Sequence, residues 1–105
     1  MTDFHVNLNF LEPWEEDNNL FFVNELENEV VDDHELSGIR LKTIARRMDQ
    51  DDFLFQLIEE PNKYVEVHLT WTKESSKNYP RYKFFSTFQE WINNRMIPDN
   101  FEYKD

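Results

Sequence analysis

From Asp51 to Trp71 the chain reads DDFLFQLIEEPNKYVEVHLTW, two runs in which apolar and polar residues alternate on either side of a Pro61-Asn62 pair. Alternation with a period of two marks a strand buried on one face, and Pro followed by Asn suits the corner of a tight turn. The stretch therefore predicts a β-hairpin. Folding it about Pro61 sets Phe53, Phe55 and Leu57 opposite Leu69, Val67 and Val65, so that one face becomes a continuous apolar row running on to Trp71. The other face is mixed, with Leu54, Gln56 and Ile58 opposite His68, Glu66 and Tyr64.

Residues 39–48 (IRLKTIARRM) fit the spacing of a helix as well as that of a strand. The β-branched Ile39, Thr43 and Ile44, and the short Asp49-Gln50-Asp51 turn that follows, favour a strand. The fold class predicted is α+β: a three-stranded antiparallel meander over 39–48, 52–59 and 64–72, with an N-terminal and a C-terminal helix covering its apolar face. The first helix runs from about Trp14 or Asp17 to about Val31, with Phe22, Val23, Leu26 and Val30 on one side and Glu25, Asn28 and Glu29 solvated. Glu12-Pro13 interrupts whatever precedes it, and Gly38, the single glycine, lets the chain turn into the sheet. The second helix opens on a capping box, Ser86 with Gln89 or Thr87 with Glu90, and buries Phe88, Trp91, Ile92 and Met96 until Pro98 stops it. Before it, Thr72 to Tyr82 reads as a polar loop; after it, Phe101 and Tyr103 fold back on the core. Phe4 to Phe10 alternates too, and fits an extra N-terminal edge strand as well as an ordered arm.

Composition narrows what such a domain can do. The 105 residues suit a single domain, and an aromatic content of 16% argues against disorder. No cysteine is present, which excludes thiol catalysis, disulfides and thiolate metal sites. No run approaches the ~20 apolar residues that cross a bilayer, and the first ten residues lack the pattern of a secretory signal, so a cytoplasmic address is expected. Charge changes the picture most. Of 22 acids, eleven lie between Met1 and Ile39, where there is no Lys or Arg, whereas from Arg40 onward acids and bases balance. The whole net charge of −11 thus belongs to the first third. Such a field repels phosphate backbones and anionic lipid, which disfavours nucleic acid and membrane, and it attracts a basic protein.

The candidate chemistry is sparse. There is no glycine-rich phosphate loop and no nucleophile elbow. Glu66 and His68 share a strand face and, with Asp51, could serve a small metal-dependent or acid/base enzyme. No recognisable third metal ligand accompanies the pair, so no cofactor or metal is expected, and His68 reads more simply as a hydrogen-bonded residue. Asp32-Asp33-His34 is better explained as a capping and turn sequence, and Arg46-Arg47 with Asp49, Asp51 and Asp52 as an ion-pair network fixing the first hairpin. Trp71 and Trp91 fall at core positions. Trp14 stands among acids and is the candidate exposed anchor for a partner.

The words ARRxDxDD (Ala45 to Asp52) and VHLTW (Val67 to Trp71), with Phe88, Trp91, Met96 and Pro98-Asp99, resemble a widespread group of small bacterial proteins over roughly residues 20–103. The chain departs from that pattern at Asn100 and at Thr72-Lys73. Its acidic first third resembles the immunity proteins of contact-dependent growth inhibition and related polymorphic toxin systems. That resemblance implies a non-enzymatic antitoxin that covers a cognate basic toxin domain, plausibly an RNase. Trp14, Glu15, Glu16, Asp17, Glu25, Glu27, Glu29, Asp32 and Asp33 would then form the partner-binding surface. The alternatives are the small enzyme above and an acidic regulatory module with some other protein partner.

Overall fold

A computed structural model describes residues 10–104. The N-terminal strand suggested by Phe4 to Phe10 lies, apart from Phe10, outside the described residues. Among the described residues the sheet has five antiparallel strands in sequence order: β1 (Trp14–Glu16), β2 (Leu41–Arg47), β3 (Asp52–Leu57), β4 (Tyr64–His68) and β5 (Arg81–Phe85). The predicted three-stranded meander is its centre, and the prediction falls short by one strand on each side. Helix α1 (Leu20–Glu29) follows β1. The chain closes with α2 (Phe88–Trp91), a π turn (Ile92–Met96) and α3 (Ile97–Lys104), which run on as one helix.

Both faces of this sheet are covered, which corrects the expectation of one apolar face under two helices. On one side, Phe53, Phe55, Leu57, Val65 and Val67 pack with Phe22, Val23 and Leu26 of α1, with Leu36, Leu41 and Leu69 completing the cluster. On the other, Leu54, Ala45, Tyr64 and Phe85 pack with Trp14, Trp91 and Met96 under the C-terminal helix. Each large side chain fully removed from water contributes about 1.5–3 kcal/mol, so the two layers hold the sheet from both sides. The mixed face of the hairpin is mixed because it carries a second core with polar groups set into it.

One irregularity decides which residues meet which helix. Thr43 pairs with Phe55 and Ala45 with Leu54, so Ile44 is an extra residue in β2, a β-bulge. The alternation shifts there. Leu41 and Thr43 belong to the α1 side, whereas Ala45 and Arg47 belong to the C-terminal side, and adjacent Arg46 and Arg47 end on opposite faces.

Several boundaries move. The hairpin keeps its predicted faces but slips by two residues: Phe53 pairs with Val67 and Phe55 with Val65, because the connection takes in Ile58 to Lys63 and closes at Leu57, whose amide donates to the Lys63 carbonyl. Trp14 to Glu16 is strand, not helix. The first helix starts only after Asn19, whose side-chain oxygen accepts from the Phe21 amide at 2.9 Å. The Thr72 to Tyr82 loop gives way to β5 at Arg81. Thr87 caps the second helix, accepting from the Glu90 amide at 3.0 Å, as one of the two capping boxes predicts. Pro98 does not end that helix. Its missing amide and bulky ring are accommodated by the π turn just before it, where the Ile97 amide reaches the Ile92 carbonyl five residues back. Phe101 and Tyr103 therefore stay helical and exposed rather than folding onto the core.

Candidate functional site

The acids predicted to form a binding surface do not share one environment. Glu15 and Glu16 are exposed on edge strand β1, and Glu27, Asp32 and Asp33 are exposed on α1 and the loop after it. Asp17 is half-buried and accepts from the Asn19 amide at 2.8 Å. Two members are misplaced by the sequence reading. Trp14 is 1% exposed: it lies under the C-terminal helix, edge-on to Trp91 at 5.0 Å, and its Nε1 donates to Asp99 at 2.9 Å, so it is no exposed anchor. Glu29 is 0% exposed, not solvated.

Glu29 organises the loop that leaves β4. Its carboxylate accepts from the Trp71 amide at 2.7 Å and from the Thr70 amide at 3.0 Å, and the Thr70 hydroxyl lies at 3.1 Å. That hydroxyl also lies 2.7 Å from the Glu74 carboxylate, and the Glu74 amide donates to the Glu29 carbonyl. Held this way, Trp71 takes a left-handed backbone with φ of 61°, where an L side chain is strained. The strand therefore ends at His68, and Trp71, predicted as a core residue, turns out to be 44% exposed. Its ring lies near-parallel to that of Phe21, itself 56% exposed, with centroids 6.4 Å apart. Phe22 and Phe53 lie beneath, at 6.4 and 6.0 Å from the Trp71 ring. Glu25 sits one turn from Phe21 and one turn from Glu29 on the same stripe of α1. A hydrogen bond with Glu29, then burial, then the Glu29 charge push the Glu25 carboxyl up to about 7.

The opposite face holds a cluster of ionisable groups. Asp99 accepts from Trp14 and pairs with Arg47 at 3.3 Å; Arg47 also donates to Asp49 at 2.7 Å. Glu66 accepts from Trp91 Nε1 at 2.9 Å and from Arg95 at 2.9 and 3.2 Å. Burial pushes the Glu66 carboxyl up, and the Arg95 and Trp91 contacts pull it back only in part. His68 Nδ1 lies 2.7 Å from Asp52. The predicted hairpin network is thus realised only by Arg47 and Asp49. Arg46 instead lies over the Phe22 and Phe53 rings at 5.3 and 5.6 Å, and Asp51 is exposed. Glu66 is engaged by Trp91 and Arg95, Asp52 rather than Asp51 meets His68, and none of five surface clefts is lined by His68, Glu66 or Asp52. Among the described residues no three His, Asp or Glu side chains gather to hold a metal ion.

His34 is buried by both ring nitrogens: Nδ1 accepts from the Leu36 amide and Nε2 donates to the Pro80 carbonyl, each at 3.0 Å. The Asp32-Asp33-His34 sequence is accordingly a turn. No helix among the described residues is long and apolar enough to cross a membrane.

The Phe21–Trp71 patch is what sequence reasoning missed. A signal was present, because Phe21 lies off the apolar stripe of its helix, but the alternation through VEVHLTW hid the exposure of Trp71. No family model matches the sequence, no curated protein is similar to it, and no solved structure matches its fold. The functional assignment therefore rests on the side chains of this chain.

Proposed function

We propose that this chain is a non-enzymatic inhibitor of the immunity or antitoxin kind, which binds a basic toxin domain such as an RNase and occludes it. The observation that carries the reading is the one-sided charge: eleven acids and no Lys or Arg in residues 1–39, with Glu15, Glu16, Glu27, Asp32 and Asp33 exposed along β1, α1 and the following loop. Carboxylates so displayed stand where the Lys and Arg side chains of a nuclease would meet phosphates. They would also steer encounter, raising the association rate by about one to three orders of magnitude at low salt. The motif residues Arg47, Asp52, His68 and Trp91 serve the fold in this reading.

The test is association kinetics with a basic RNase toxin domain, measured in rising salt. The association rate should fall steeply between about 50 and 500 mM salt, where the screening length shrinks below ~10 Å. An association rate insensitive to salt, or an exchange of Glu15, Glu16 and Glu27 for Gln that leaves it unchanged, would sink the proposal.

A further inference from the structure

We infer that the Phe21–Trp71 aromatic pair is the anchor of this surface and takes an arginine side chain from the basic partner. The inference rests on the function proposed above. Large aromatic side chains left in water beside acids are the kind of residue on which binding energy concentrates. Here they are placed at a cost. The left-handed backbone at Trp71 is one that glycine would adopt freely, and it is enforced by a fully buried carboxylate, Glu29, that takes both the Thr70 and the Trp71 amides. A tryptophan kept at such a position, with its ring turned outward, is unusual for a residue whose only task is packing.

Charge selects the occupant. Glu74 lies on the loop that carries Trp71 and Glu25, an anion once the pH passes about 7, lies one turn from Phe21; neither takes part in an ion pair among the described residues, whereas the buried Glu29 carboxylate is spent on the Thr70 and Trp71 amides. Arg46 is already seated on the inner rings, Phe22 and Phe53, and leaves the outer pair free. That internal contact also shows what fits: a planar guanidinium stacks on an aromatic face and can donate to carboxylates at its edge, which an ammonium does less well.

The test uses N-acetylated hexa-arginine amide as the probe at low ionic strength. Trp14 and Trp91 are 1% and 0% exposed, so the acrylamide-quenchable fluorescence belongs to Trp71. The peptide should shield that emission. In calorimetry, Phe21→Ala and Trp71→Ala should each bind the peptide about three- to tenfold more weakly, while Trp71→Phe recovers most of the affinity. Glu102→Gln, which removes one exposed charge on α3, should change little. Equal affinity of wild type, Phe21→Ala and Trp71→Ala would overturn the anchor and leave the acidic surface standing. No binding of hexa-arginine to the wild type, or tighter binding of hexaglutamate, would overturn both.

Discussion

At Trp71 the backbone and the side chain want different residues. Glycine normally weakens a chain relative to alanine, because it has more conformational freedom to lose. With φ at 61° the order should invert: Trp71→Gly is expected to be more stable than Trp71→Ala by about 1 kcal/mol, read from urea unfolding midpoints. An alanine variant as stable as the glycine variant would remove the strain argument. Glu25 sets a second residue-scale expectation. Its carboxyl is raised from an ordinary 4.5 to about 7 in the folded chain, so the folded state holds the proton more tightly than the unfolded one. That contribution to stability is complete below 4.5 and fades as pH climbs through 7. Glu25→Gln, which keeps a neutral group beside Glu29, should therefore gain on the wild type as the pH of a thermal melt is raised from 5 to 8. A constant difference in melting temperature across that range would show that the Glu25 carboxyl is not raised in the folded chain.

Among elements, the decisive contact is between the C-terminal helix and the first strand, joined through Asp99. Trp14 and Asp99 are 85 residues apart in sequence, and Asp99 also balances Arg47, whose side chain is 10% exposed. Asp99→Ala would leave a buried indole N–H without an acceptor and a buried guanidinium short of charge, at about 2–4 kcal/mol. Asp99→Asn keeps an oxygen for the indole and should lose about half of that. Equal losses in the two variants, measured by chemical denaturation, would mean that the charge rather than the indole bond holds the helix down. This contact also marks the limit of pattern reading. The central strands were legible because alternation is a local signal, and the Thr87 cap because it spans three residues. The three residues of β1 are too few to show a period. β5 hides its alternation behind Arg81 and Lys83, whose exposed charges make RYKFF look like the end of a loop. Nothing near Trp14 in the chain announces Asp99.

In the whole molecule, a sheet covered on both faces leaves its ends and edges for function. The edges differ: β1 presents Glu15 and Glu16, and β5 presents Arg81 and Lys83, all exposed. Short strands with charged side chains are poor templates for pairing with another sheet, so both edges are guarded. The fold class was within reach of the sequence as far as a meander with helices; which helix covers which face was not, because that depends on the single supernumerary residue in β2. The charge asymmetry was plain from composition, whereas the surface around Trp71 emerged only with the loop geometry that Glu29 imposes.

That supernumerary residue makes the chain unequally tolerant of shortening. Cutting out Ile44 would leave Thr43 opposite Phe55 and Ala45 opposite Leu54, now as neighbours in an unbroken ladder, with each arginine still directed to its own layer. Removing Gln56 instead would invert the rest of its strand and exchange the two cores. A one-residue deletion at 44 should keep a cooperative unfolding transition that the same deletion at 56 abolishes.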